Sequence, residues 1–241
     1  MFNEWRDIRL FRTVGGAQPT AIVQKTDGLV MPERSKTALI LPVILALGFG
    51  LCARRGADMM RIDREVLAFC LAHRSGAATL LMMSVTILGE EPVVLTAAAL
   101  YGVISYARSR ESVPGILLAI VGISSIVANR FAKGIFLTPR PPLKYMVIPL
   151  IDPGFPSAHA MNALSVYGTM AYLALHSHGL SLRYRCGFVG VTLFLIATIG
   201  SSRIYLGEHW LSDVLGGWAF GGLLLGLAVI VHQMVTFRVV N

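Results

Sequence analysis

The chain has 241 residues, of which 55% are hydrophobic and 14% charged, with a mean hydropathy of +0.67 and a formal net charge of +8 at pH 7. Soluble domains are roughly 45–50% apolar and 25% charged, so this composition indicates a membrane protein. The basic residues are scattered among apolar runs and form no stripe with interleaved aromatic residues, which argues against nucleic-acid binding.

The N-terminal residues 1–35 are polar, with no apolar core followed by a small-residue cleavage site. No cleavable signal peptide is therefore predicted, and the first apolar run is expected to act as an anchor. We expect residues 1–35 to form a polar cytoplasmic segment and residues 36–241 to form one membrane domain.

Apolar runs long enough to cross a bilayer follow, since a membrane-spanning helix needs about 20 mostly apolar residues, or somewhat fewer with flanking polar residues. Six candidates are present: Thr37–Ala53, Ser75–Ala107, Val113–Asn129, Ala160–Leu175, Cys186–Ser201 and Val214–Val231. The predicted fold class is all-α, a polytopic helix bundle with about six transmembrane helices.

The second candidate span is too long for a single crossing. As one helix it would extend for about 50 Å, and it contains the sequence GEEP at Gly89–Pro92. We expect this sequence to divide the run into an interfacial piece and a span, with Glu90 and Glu91 marking the boundary.

The basic residues between the spans predict the orientation by the positive-inside tendency. With six crossings both termini lie on one side, and every loop on that side contains Lys or Arg, so it is interpreted as cytoplasmic. The opposite side also holds many cations, and its first loop is basic, with Arg54, Arg55, Arg61 and Arg64. That loop could attract an anionic lipid headgroup.

Three polar clusters fall on the predicted outer side. They are KGIFLTPRP at Lys133–Pro141, FPSAH at Phe155–His159, and SSRIYLGEHWLSDVLGG at Ser201–Gly217. Charges are costly beside a bilayer core, so their concentration at one surface indicates a functional site.

The cations in these clusters indicate an anion site. Lys133, Arg140 and Arg203 would repel one another unless an anion lies between them, and Arg and Lys both suit phosphate oxygens. Ser157 is a plausible N-cap of the helix that follows, so the backbone N–H groups there, including that of Ala158, would also favour an anion. Phosphate is the predicted ligand.

Two histidines accompany these cations. If the chain is helical at His209 and Asp213, the spacing of four places them on one face, and the carboxylate can accept the imidazole N–H. His209 is then a candidate nucleophile for a covalent phospho-intermediate. His159 is the candidate general acid, and later the general base that activates water.

Metal dependence is not predicted. A two-metal phosphatase needs several clustered carboxylates, whereas only Asp152, Glu208 and Asp213 lie in or next to these clusters. The three cations would take the place of metal ions, and no cofactor is expected.

The ordered pattern Lys-x6-Arg-Pro, Pro-Ser-x-His and Ser-Arg-x5-His-x3-Asp resembles the type 2 phosphatidic acid phosphatase superfamily, which also includes vanadium haloperoxidases and glucose-6-phosphatase. Ala158 stands where that family usually has Gly. The resemblance, over about residues 60–235, implies a metal-independent phosphatase of lipid phosphates with a six-helix membrane core, His209 as nucleophile and His159 as acid.

The resemblance does not select one lipid. Candidate substrates are phosphatidylglycerol phosphate, phosphatidic acid, undecaprenyl pyrophosphate and the phosphates of lipid A. The expected location is a cell membrane, such as a bacterial inner membrane, with the active site on the outer, periplasmic or extracytoplasmic, face. Two alternatives stay open: a transporter or channel with an anion site at its outer mouth, and a catalytically inactive scaffold.

Overall fold

The protein is described by a computed structural model covering residues 40–177 and 181–240. The described residues are mostly helical and contain no β-strand, so the predicted all-α class is confirmed. The α-helices in chain order are α1 (Ile40–Arg54), α2 (Ala57–Ala72), α3 (Gly76–Thr86), α4 (Glu91–Ser109), α5 (Val113–Phe136), α6 (Ala158–Asn162), α7 (Gly168–His176), α8 (Leu182–Tyr205) and α9 (Leu211–Val240). The predicted polar segment 1–35 and the domain boundary after it lie outside the described residues.

Fewer helices than predicted meet the length and hydropathy expected of a full membrane span. Three of the described helices are long and apolar enough to cross a membrane, namely α5, α8 and the part of α9 from Leu211 to Thr236. Helices α3 and α4 form a bent pair, and the number is four if this pair counts as one span. Helix α1, which contains the described part of the first predicted span, has 15 residues. The predicted span Ala160–Leu175 is built from α6, a π-helical turn at Ala163–Tyr167, and α7. The count of six spans is therefore not confirmed.

The exposed face of α5 identifies the surroundings of the bundle. Ile116, Ile120, Ile123, Val127 and Phe131 recur at helical spacing and are each more than half exposed. Contiguous exposed apolar surface of this extent is unusual for a soluble monomer and normal for a helix that faces lipid. This stripe agrees with the hydropathy in indicating a membrane protein.

The GEEP sequence breaks the second predicted span as expected. A 3₁₀ turn, Ile87–Gly89, ends the first half, and α4 begins at Glu91 at an angle of 57° to it. Pro92 lies in the first turn of α4, where its missing N–H leaves no hydrogen bond unmade.

The first and last described helices pack against each other. The Phe49 ring of α1 lies 5.0 Å from that of Phe220 in α9 and 5.2 Å from Phe155. A Cβ added at Gly222 of α9 would lie 2.7 Å from Leu45 Cδ1, so glycine allows the close approach. The bundle is thus closed by contacts between the two ends of the described chain.

Helix α2 corrects one sequence-based interpretation. The segment containing Arg61 and Arg64 was expected to be a loop, but it is helical from Ala57 to Ala72 and buries Asp63 and Leu67 against the bundle. The Asp63 carboxylate accepts hydrogen bonds from Ser212 N (2.8 Å) and Ser212 Oγ (2.7 Å) at the start of α9. Helix α2 therefore fixes the position at which α9 begins.

The loop between α5 and α6 is anchored to the turn between α8 and α9. Arg74 donates to the carbonyl oxygens of Tyr145 (2.7 Å) and Tyr205 (2.7 and 2.9 Å), and Val147 N donates to Leu206 O (3.0 Å). Gly207 completes the turn with φ +74°, in the left-handed region that favours glycine.

Replacing Gly207 by alanine is expected to destabilise the protein by about 2 kcal/mol, lowering the Tm by about 4–8 °C. The new methyl group would meet the carbonyl oxygen of Tyr145 and lie 2.8 Å from Arg74 Nη2, in addition to the backbone strain. The measurement is thermal unfolding in detergent. The matched control is Gly190→Ala in α8, where an added Cβ meets nothing within 4 Å; equal Tm values for the two variants would contradict the prediction.

Candidate active site

The three polar clusters meet at one end of the bundle, as the sequence predicts. The segments involved are the end of α5, the loop 137–157, the start of α6, the end of α8 and the turn leading into α9. Their side chains are linked by hydrogen bonds and ion pairs across up to 69 residues of sequence: Lys133, Arg140 and Asp152; Arg140 and His209; Arg203 and Glu208; His209 and Asp213.

His209 and Asp213 form the predicted pair, but not through a shared helical face. His209 lies in the turn before α9, which begins at Leu211. Its Nδ1 is 3.2 Å from Asp213 Oδ2, and Trp210 N donates to the same oxygen (3.0 Å). Both side chains are buried. Asp213 therefore holds the turn and the imidazole together from the first turn of the helix.

The environment of His209 keeps the ring neutral. Burial lowers its pKa well below the ordinary value, and the charges of Arg140, Arg203 and Lys133 lower the pKa further. With the Nδ1 proton donated to Asp213, the lone pair of Nε2 accepts from the Arg140 guanidinium. That nitrogen lies 2.9 Å from Arg140 Nη1, so it faces the cationic side of the site.

Arg140 is held by two neighbours as well as by His209. Its Nε donates to the carbonyl oxygen of Asp152 (2.8 Å), its Nη2 to both Asp152 carboxylate oxygens (3.0 Å each), and its Nη1 to Glu208 O (2.8 Å). Trp210 Nε1 donates to Pro139 O (3.0 Å), beside Arg140. The turn that carries His209 therefore fixes the guanidinium as well.

Asp152 forms an ion pair with Lys133 in addition to Arg140. Burial raises the pKa of Asp152, but the hydrogen bond from Lys133 and the charges of Lys133 and Arg140 outweigh it and bring the pKa to about 2. The carboxylate is therefore ionised at neutral pH. From the sequence, Asp152 was expected to lie near the three polar clusters, but its pairing with Lys133 and Arg140 was not predicted.

Arg203 has partners that differ from those of the other two predicted cations. Its side chain is buried, its Nη1 donates to Thr86 Oγ1 (2.8 Å), and it pairs with Glu208. Burial raises the pKa of Glu208, and the positive charge of Arg203 opposes that shift. The buried Nε of Arg203 has no hydrogen-bond partner within residues 40–177 and 181–240, which leaves one donor for a ligand.

His159 contacts the helix break. Its Nε2 is 3.2 Å from Glu90 Oε1. A Cβ added at Gly89 would lie 2.9 Å from His159 Cδ2 and 2.7 Å from Ile199 Cγ2, so only glycine lets the break approach the ring. The GEEP sequence predicted the boundary; pairing of Glu90 with His159 was not predicted.

Ser157 occupies the predicted N-cap position of α6, but its hydroxyl does not accept the capping bond. The buried Oγ has no hydrogen-bond partner in the described part of the chain, while Ser157 N donates to Asp213 O (3.0 Å). The first intrahelical bond starts at Met161 N, so the amide of Ala158 belongs to the first turn, whose N–H groups have no intrahelical acceptor. Hydroxyl and amide are both suitable donors for an anion.

Arg55 is a fourth cation at the site. From the sequence it was expected to lie in a basic loop that attracts a lipid headgroup. It pairs with Asp213, and its Nη1 lies 3.4 Å from Pro139 O. Its backbone has φ +40°, unusual for a residue with a side chain. Arg55 therefore acts on the carboxylate that orients His209. The neighbouring Arg61 instead lies 3.8 Å from the exposed Asp58.

No group of three or more His, Cys, Asp or Glu side chains among the described residues is arranged to hold a metal ion.

Comparison with known proteins gives consistent matches. The profile of the PAP2 superfamily matches residues 113–237. Phosphatidylglycerophosphatase B of Bacillus subtilis (strain 168) is 31% identical over 150 residues, which cover 61% of this chain and 71% of that protein. Undecaprenyl-diphosphatase BcrC of the same organism is 26% identical over 151 residues, covering 61% of this chain and 70% of that protein.

A solved structure has the same fold. The transmembrane PAP2-type phosphatidylglycerolphosphate phosphatase from Bacillus subtilis superposes with a TM-score of 0.76 at 24% identity, covering 80% of this chain and 96% of that one.

Proposed function

The chain belongs to the PAP2 superfamily, and from that membership and the geometry of its site we propose that it is a metal-independent lipid phosphate phosphatase working through a phosphohistidine. The observation that carries the proposal is the orientation of His209. Its Nδ1 faces Asp213 at 3.2 Å, and its Nε2 faces the cationic side of the site. A neutral, buried imidazole held in this way is an activated nucleophile.

In the first step the lipid phosphate lies among Lys133, Arg140 and Arg203, with the Ser157 hydroxyl and the amide of Ala158 as further donors. His209 Nε2 forms a bond to phosphorus as the bond from phosphorus to the lipid oxygen breaks. The cations stabilise the charge on the equatorial oxygens in the transition state. Asp213 stabilises the positive charge that develops on the imidazole.

His159 transfers a proton in each of the two steps. As general acid it protonates the departing lipid oxygen; as general base it then takes a proton from the water that attacks the phosphohistidine. The bond from phosphorus to nitrogen breaks, releasing inorganic phosphate and restoring neutral His209. Glu90, 3.2 Å from His159 Nε2, orients the ring.

The proposed arrangement in the membrane has six crossings, an active site at the outer leaflet and cytoplasmic termini. The sorting of Lys and Arg between loops supports it. Lys133 and Arg203 lie near the C-terminal ends of α5 and α8, whereas Arg110 precedes α5 and Arg183 lies in the first turn of α8. A phosphate site at one helix end can receive a headgroup without burying it in hydrocarbon.

The substrate class proposed is a lipid phosphomonoester or pyrophosphate, and phosphatidylglycerol phosphate is the first candidate because a phosphatidylglycerophosphatase is among the relatives. Phosphatidic acid, undecaprenyl pyrophosphate and lipid A phosphates complete the panel. The test is release of inorganic phosphate from each lipid by the purified protein in detergent with EDTA. If the protein released phosphate from none of the lipids in the panel, the proposal would be rejected.

Vanadate is expected to inhibit the enzyme at a concentration at least about 100-fold below that needed for phosphate, because it adopts the trigonal-bipyramidal geometry of the transferring phosphoryl group. The measurement is a pair of inhibition constants with the preferred lipid. EDTA should change neither constant.

The same two inhibition constants are then measured for the Arg203→Ala variant. The guanidinium is proposed to stabilise charge that develops in the transition state, so the substitution should weaken vanadate more than phosphate. A requirement for Mg²⁺, or equal inhibition of the unaltered protein by the two anions, would favour a metal-assisted reaction instead.

A further inference from the structure

The carboxylate of Asp152 occupies the position between two cations proposed to bind phosphate. It pairs with Lys133, and each of its oxygens lies 3.0 Å from Arg140 Nη2. The side chains of Lys133 and Arg140 are 14% and 6% exposed, whereas that of Asp152 is 49% exposed. Two nearly buried cations are thus neutralised by an anion that is open to solvent.

Arg140 has no donor left for a ligand in this arrangement. A guanidinium has five N–H groups. One, from Nε, goes to Asp152 O; those of Nη2 point at the Asp152 carboxylate; those of Nη1 go to Glu208 O and His209 Nε2. Lys133 donates one of its three N–H groups to Asp152. A phosphate bound by Arg140 has to replace one of the present partners of the guanidinium.

Among the oxygen atoms that Arg140 contacts, those of the Asp152 carboxylate are the ones that a phosphate can replace. The carbonyl oxygens of Asp152 and Glu208 are part of the backbone, whereas the carboxylate ends a half-exposed side chain that can rotate into water. Carboxylate and phosphate present similar pairs of oxygens to a guanidinium. The two anions therefore compete for the same donors.

We propose that Asp152 is a specificity-determining residue, an internal competing anion that only a doubly charged phosphate group displaces. This inference rests on the proposed phosphatase function. A phosphomonoester dianion brings two charges to Lys133 and Arg140 in exchange for one. A phosphodiester, the form found in ordinary phospholipid headgroups, brings a single charge and competes with a carboxylate tethered at high effective concentration.

Selection of doubly charged phosphate groups over singly charged ones is useful at a membrane surface. Phosphodiester lipids surround the site in large excess over phosphomonoesters, and Lys133 and Arg140 without their internal anion would retain them. Asp152 keeps the empty site neutralised and leaves singly charged headgroups unbound.

The test is Asp152→Asn in the full-length protein in detergent, with calorimetric binding of inorganic phosphate and of dimethyl phosphate as probes. Asn keeps the size of the side chain and removes its charge. We expect the Kd for inorganic phosphate to fall about ten-fold and binding of dimethyl phosphate to become measurable. Asp152→Ala should give the same result, which guards against an effect peculiar to the amide.

Asp58→Asn is the matched control, because it removes the same charge from a side chain that is 95% exposed and paired only weakly with Arg61. It should leave both affinities unchanged. Unchanged or weaker phosphate binding in both Asp152 variants would overturn the inference and make Asp152 a residue that positions the cations. Phosphate release from the lipid panel tests the proposed function separately, since calorimetry requires no turnover.

Discussion

Alanine in place of His209 is expected to lower kcat for phosphate release at least about 10⁴-fold, to the limit of detection. The imidazole is the only group proposed to form a bond to phosphorus, so its removal eliminates the covalent route. The measurement is turnover of the preferred lipid by the purified variant. The buried ring touches Asp213 and Arg140, and its loss should leave the helices assembled.

The control for this variant is His73→Ala. His73 is exposed at the end of α2, and its ring Nδ1 lies 2.8 Å from the carbonyl oxygen of Phe69. Its replacement should leave turnover within a few-fold of the unaltered protein. A His209→Ala variant that elutes and melts like the unaltered protein yet keeps comparable activity would disprove the assignment of the nucleophile.

Alanine in place of His159 is expected to lower kcat by about 10²–10⁴-fold on a lipid phosphate and by much less on p-nitrophenyl phosphate. A lipid alkoxide is a poor leaving group and needs a proton as it departs, whereas p-nitrophenolate departs without one. The comparison of the two substrates in one variant separates proton donation from a general loss of structure. An equal loss on both would count against His159 as the general acid.

Much of the site could be predicted from residue type and spacing. Lys133, Arg140, Arg203, His159 and His209 were identified because polar side chains at the ends of apolar runs are costly unless they serve a purpose. Their placement on one side follows from the order of the apolar runs, because each lies at or just beyond the end of a run that was expected to cross the membrane. The His209–Asp213 contact was predicted correctly, although Asp213 makes it from the first turn of α9 rather than along a helical face.

Contacts between distant segments could not be predicted in this way. Glu90 with His159, Arg55 with Asp213, and Thr86 with Arg203 join residues 69, 158 and 117 positions apart. No local periodicity specifies such pairs, because they depend on the angle at which helices meet.

Helix α2 was missed for a related reason. Its many charges suggest a solvated loop, and the burial of Asp63 becomes understandable only once Ser212 is seen to donate two hydrogen bonds to it.

The closure of the bundle by its first and last helices has a consequence for synthesis. Arg55 and Asp213 are 158 residues apart, so at about 5–20 residues per second roughly 8 to 32 seconds separate the emergence of one from that of the other. Until the end of that interval a growing chain lacks Asp213, the carboxylate that holds the ring of His209, the proposed nucleophile. The proposed activity therefore depends on the contact between α1 and α9, which forms only after both helices have been made.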